Sequence, residues 1–84
     1  MTETLTLPPE QLLPAWRAAV LAYRRVLRAT GEDQVARPAA YAALREVLPD
    51  IPEAEAEMQT TRAIAFAAAN HTAWFFAGVY RGVR

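Results

Sequence analysis

Apolar residues recur at helical spacing in the first half of the chain and lose that pattern in the last third. At 100° per residue, Leu12, Leu13, Trp16, Val20, Tyr23 and Leu27 fall within one arc about 100° wide, the width of a core-facing stripe. Arg17, Arg24 and Arg28 lie on a narrow line beside it, with Arg25 further round. Ala15, Ala18, Ala19, Ala22 and Ala29, joined by Val26, make a separate strip of small residues that a second helix can approach closely. Tyr41, Leu44, Val47 and Leu48 make the apolar side of a second helix. The segment from Ala63 to Tyr80, AIAFAAANHTAWFFAGVY, carries no Asp, Glu, Lys or Arg. In the third helix Met58, Ile64, Ala65, Ala68, Phe75, Phe76 and Val79 share one face, with Thr61 and Thr72 among them. Phe66, Ala69, Ala73 and Ala77 lie opposite, with Trp74 on the flank. One neighbouring helix cannot cover both faces.

Prolines and one glycine set the expected boundaries. Residues 1–8 read as a flexible arm, followed by a single helical domain over 9–84. Pro9 and Pro14 suit a first turn, and Gly31 suits a helix C-terminus, so the first helix is expected over about 9–29. GEDQVAR (31–37) reads as a linker. Pro38 then opens a short helix over 38–48, closed by Pro49. Asp50 is the expected cap of a third helix over 52–81, whose Glu53, Glu55 and Glu57 favour the positive end of the helix dipole. No alternating β pattern or Asn-Gly hairpin signal occurs. The expected fold is an all-α, three-helix domain that assembles through its third helix.

Composition narrows the options. An 84-residue chain buries only about 60% of its unfolded surface, so its core is marginal. Cysteine is absent, which removes disulfides and thiolate metal sites, and leaves oligomerisation as the common route to added stability. The net charge is zero, so no global field draws the chain to nucleic acid or anionic lipid. All nine basic residues are arginine and alanine is abundant, as codon usage in a GC-rich bacterial genome gives. The N-terminal stretch lacks a basic, then apolar, secretory pattern, so the cytoplasm is the expected compartment.

The second face of the third helix points to protein–protein interaction. The expected role is a non-catalytic interaction protein or accessory subunit, as a homo-oligomer or within a larger complex. Phe66, Asn70, Ala73, Trp74 and Ala77 form the candidate interface, with Tyr80 and Arg81 at its rim. The alternative is a nucleic-acid-associated protein using Arg17, Arg24, Arg25 and Arg28 on phosphates or on a partner. Against it, a recognition helix beginning PEAEAEM would present three carboxylates to DNA, and those carboxylates can instead neutralise the arginines. Eighteen uncharged residues reach the lower limit for a membrane span, yet Asn70, His71 and Thr72 sit near their middle, so membrane insertion is not expected.

No catalytic, cofactor or metal site is expected. His71, the only histidine, has Ala67 and Phe75 as its helical neighbours and no carboxylate within a turn, so it reads as a buried or interfacial side chain satisfied by one hydrogen bond. Gly31, Gly78 and Gly82 are too dispersed for a phosphate-binding loop, and no small-molecule substrate is evident. The run YAALREVLPDIPEAEAEMQTTRAIAFAAANHTAWFFAGV (41–79) resembles the central helices of the alkylhydroperoxidase D and carboxymuconolactone decarboxylase group. Those helices carry an Asn, a CxxC and a His. With Asn70 on that Asn, Thr72 and Phe75 stand at the cysteine positions and Val79 at the histidine position. The resemblance implies a degenerate relative, helical and oligomer-forming, without peroxidase activity.

Overall fold

The computed structural model describes residues 10–76, and all of their regular structure is helical. A 3-10 turn, Glu10–Leu12, leads into α1 (Leu13–Thr30). α2 (Asp33–Val47), α3 (Glu53–Asn70) and a short α4 (Thr72–Phe76) follow. The expected N-terminal arm and the end of the expected third helix lie outside the described residues.

α1 ends as its sequence requires. Gly31 takes the left-handed conformation at φ 73° and its N–H returns to Leu27 O at 2.7 Å, a geometry that disfavours any residue with a Cβ. The next boundary corrects the sequence reading. Residues 33–37 are not linker but the first turns of α2, and Pro38 lies inside that helix. Glu32 is extended and its carbonyl accepts from the N–H groups of Val35 and Ala36, both at 3.1 Å. Tertiary contacts hold this turn in place. Ala36 is completely buried, and the Tyr23 hydroxyl of α1 donates to Asp33 Oδ1 at 2.5 Å. The Asp33 carboxylate also accepts from Arg37 Nε at 2.9 Å, the one ion pair among the described residues. Asp50 does not cap α3. Pro52 occupies that position, with its carbonyl accepting from Ala56 N–H and with no side-chain cap.

The bundle is built on small residues. α1 packs most extensively on α2, and Ala15 and Ala19 of α1 share the buried core cluster with Ala36, Ala40 and Leu44 of α2. Of the small strip read on α1, Ala15, Ala19 and Ala22 are buried, Ala18 and Val26 are half-buried, and Ala29 faces solvent. α3 follows the same logic, which corrects its expected inner face. Ala56, Thr60, Ala63, Ile64 and Ala67 are buried, whereas Met58 and Ala65 face solvent. On α2 the half-exposed Val47 likewise leaves the inner face to Ala36, Ala40 and Leu44. Alanine seams let helix axes approach, and the large rings then fill the ends of the bundle.

One polar contact, backed by a second within α3, sets the register of α1 on α3. Buried Trp16 donates its indole N–H to Gln59 Oε1 at 2.9 Å, and the Gln59 amide donates onward to Glu55 at 3.0 Å. A buried donor without a partner costs about 1–3 kcal/mol, so Gln59 is fixed opposite Trp16.

The long third helix expected from the sequence breaks at His71, which leaves the helical region at φ −133°, ψ 43°. Asn70 Nδ2 donates to Phe66 O at 2.9 Å and Thr72 Oγ1 to Ala68 O at 2.5 Å. Side chains that bond the carbonyls of their own last turn compete with helix continuation. The chain then turns, and α4 seats Phe75 on Tyr23, with ring centroids 5.5 Å apart and planes 3° from parallel. No helix among the described residues is long and apolar enough to cross a membrane.

Candidate functional site

The break at His71 creates a groove. One wall is α1, whose Leu13, Arg17, Leu21, Arg24 and Arg28 fall within an arc of about 80° at 100° per residue. The other wall is the end of α3 and α4, with Phe66, His71 and Trp74. Trp16, Ala63 and Ala67 form the floor. The groove encloses about 310 Å³ and its lining is mainly apolar. It exists because Ala63 and Ala67 leave room that larger side chains would fill.

Three large apolar side chains remain open to solvent beside it: Leu21 at 47%, Leu13 at 43% and Trp74 at 43%. Together they form one patch on one groove. Single exposed apolar residues are ordinary, whereas a contiguous set points to a contact.

The candidate residues divide among several settings. Phe66 is half-buried, 5.7 Å from the Trp16 ring, so α1 covers much of it. Trp74 is positioned by Arg24, whose guanidinium carbon lies 4.6 Å from the ring centre and whose Nε donates to Trp74 O at 2.9 Å. Arg24 is thus engaged within the chain. Arg17 lines the groove, and Arg25 and Arg28 are exposed. The carboxylates of Glu53, Glu55 and Glu57 do not pair with these arginines among the described residues, contrary to that expectation. Asn70 and Ala73 are exposed, with the Asn70 amide tied to its own helix. Ala77, Tyr80 and Arg81 lie outside the described residues.

His71 is exposed, which removes the buried alternative expected for it, and its ring meets Phe66 edge-on at 6.0 Å in the groove wall. No group of three or more metal-binding side chains occurs among the described residues.

Leu21 escaped the sequence reading, and Leu13 was assigned to the core. Leu21 had a signal all the same, since it is a large apolar residue on the arginine line of α1.

No family model, curated protein or solved structure gives a significant match to this chain. The resemblance over residues 41–79 therefore rests on sequence alone.

Proposed function

We propose that this chain is a non-catalytic interaction protein, an accessory subunit or adaptor, whose docking face is the groove between α1 and the α3–α4 corner. The observation that carries this reading is the convergence of Leu13, Leu21 and Trp74, all exposed, on one preformed apolar groove. Full burial of such a side chain is worth about 1.5–3 kcal/mol. Covering the exposed halves of all three then contributes about 3 kcal/mol. Micromolar affinity requires about 8 kcal/mol net of ordering costs, so the occupant must supply its own apolar anchors. A groove with fixed walls suits a short helical segment that inserts such anchors at i, i+3 or i+4, and i+7.

Site-specific photo-crosslinking in the producing cell tests this. A benzophenone amino acid at position 21 should give a discrete higher-mass protein adduct, lost when Trp74→Glu is added. The same group at exposed Ala42 of α2 should give none. Absence of an adduct at position 21, or equal adducts at both positions, would overturn the reading.

A further inference from the structure

We infer that the groove selects an acidic amphipathic helix from a different protein, an inference that rests on the docking role proposed above. The argument is charge complementarity. Arg17 lines the groove, and Arg28 lies on the same narrow line of α1, three turns further along. Neither has a carboxylate partner among the described residues. On α3, Arg62 lies one turn before the groove residue Phe66, also without such a partner. Among the described residues, no acidic side chain lines the groove itself. Glu10, in the 3-10 turn before α1, borders Leu13, Arg17 and Leu21 at one end of this surface, whereas Glu53, Glu55 and Glu57 belong to the first turns of α3 and Glu55 accepts from Gln59. Glu10 thus offsets only one of the arginines along α1, and the α1 side of the patch keeps an excess of positive charge among the described residues.

This pattern disfavours a second copy of the chain. A two-fold contact through the groove would set the arginine line of one copy against that of the other, and like charges juxtaposed across an interface penalise pairing. A partner helix bearing Leu or Phe anchors on one stripe, with Glu or Asp beside it, satisfies both features. The line from Leu13 to Arg28 spans about 22 Å at 1.5 Å per residue, which sets a partner helix of four to five turns.

Two fluorescein-labelled synthetic peptides of about 18 residues test the inference, long enough for helicity in water. They share one apolar stripe and differ only in flanking Glu or Lys. Titrated with the full chain and read by anisotropy at low salt, the Glu peptide should bind at least tenfold tighter than the Lys peptide. Arg17→Glu combined with Arg28→Glu should abolish or reverse that preference. Leu21→Glu should remove binding of both. Raising the salt to about 1 M, where screening length falls to about 3 Å, should erase most of the difference. Circular dichroism of each variant checks that the bundle persists. Equal binding of the two peptides, or preference for the Lys peptide, would overturn the acidic partner while leaving the docking face intact. Binding of neither peptide, together with no adduct at position 21, would remove the docking reading itself. A dimer in light scattering that Leu21→Glu dissolves would replace the foreign helix by a second copy. Tighter binding of a labelled DNA duplex through Arg17, Arg25 and Arg28 would overturn the proposal in favour of nucleic acid.

Discussion

Phe75→Ala is the most direct test of how the C-terminal part of the bundle is held. Phe75 is 1% exposed and belongs to a five-residue helix with no other described residue in the core. Its burial is worth about 1.5–3 kcal/mol. The stacked contact with Tyr23 adds about 0.5–1.5 kcal/mol. Together they give about 2–4.5 kcal/mol, in line with the ~3–5 kcal/mol typical of Phe→Ala in cores. At about 0.05–0.15 kcal/mol per residue, an 84-residue chain has about 4–13 kcal/mol in total. The substitution should therefore remove a large share of the stability, about 12–24 °C of Tm for a loss near 3 kcal/mol. Urea unfolding followed by far-UV circular dichroism and by tryptophan fluorescence measures the loss. Trp74→Ala, which empties a half-exposed position, is the control and should cost less. A Phe75→Ala protein within about 1 kcal/mol of the parent, with unchanged m-value, would refute the docking of α4 on Tyr23 as a stabilising contact.

Two further predictions concern the start of α2. The Asp33 carboxyl is held below its ordinary value of 3.8, first by the hydrogen bond from Tyr23, which outweighs the opposing desolvation, with smaller contributions from the hydrogen bond and charge of Arg37. A carboxylate whose folded pKa is depressed stabilises the fold fully above its unfolded pKa, and loses that contribution as pH falls through the folded value. Asp33→Asn should therefore lower the urea midpoint by a constant amount above about pH 5, with a gap that narrows by pH 3. The side chain is 53% exposed, so screening keeps the effect under about 1 kcal/mol, and parallel pH curves would contradict the Tyr23–Asp33 contact. Pro38→Ala should stabilise the protein. An interior proline costs about 3 kcal/mol in a helix, and regained freedom of the unfolded chain offsets about 1 kcal/mol, which leaves a gain of about 1–2 kcal/mol in denaturant unfolding. Destabilisation would mean that the helix begins at Pro38 after all, where proline is favourable.

The all-α architecture was legible because the cues agreed locally. Gly31 marked the end of α1, Pro49 followed α2, and the small strip on α1 marked the close helix pair. The start of α2 was not legible, because tertiary contact overrides a local signal there. A proline after a charged polar stretch reads as a beginning, yet Tyr23 and the buried Ala36 hold the five residues before Pro38 in helix. The inner face of α3 was misread for a related reason. Hydrophobic size ranks Met58 above Ala56 and Ala63, but a seam between closely spaced helices selects for small volume, so the alanines go inside and methionine stays out.

The candidate site was half legible, and its missing half follows from the break at His71. A continuous α3 would leave Phe66 and Trp74 on a face that nothing in the chain covers, which makes a second molecule seem necessary along its whole length. Asn70 and Thr72 carried the contrary signal, since both are residue types that bond nearby carbonyls and end helices. Once the axis turns, α1 covers Phe66 through Trp16, Tyr23 covers Phe75, and Arg24 stacks on Trp74. Among the described residues of the apolar segment, Phe66 and Phe75 are thus covered within the chain. What remains open is a narrower groove, and its exposed edge comes largely from Leu13 and Leu21 of α1. The sequence pattern located the need for cover on α3, whereas the folded chain shifts the unmet part of that need onto the arginine line of α1. A search for the partner should therefore vary Leu21 and Arg17 before Phe66.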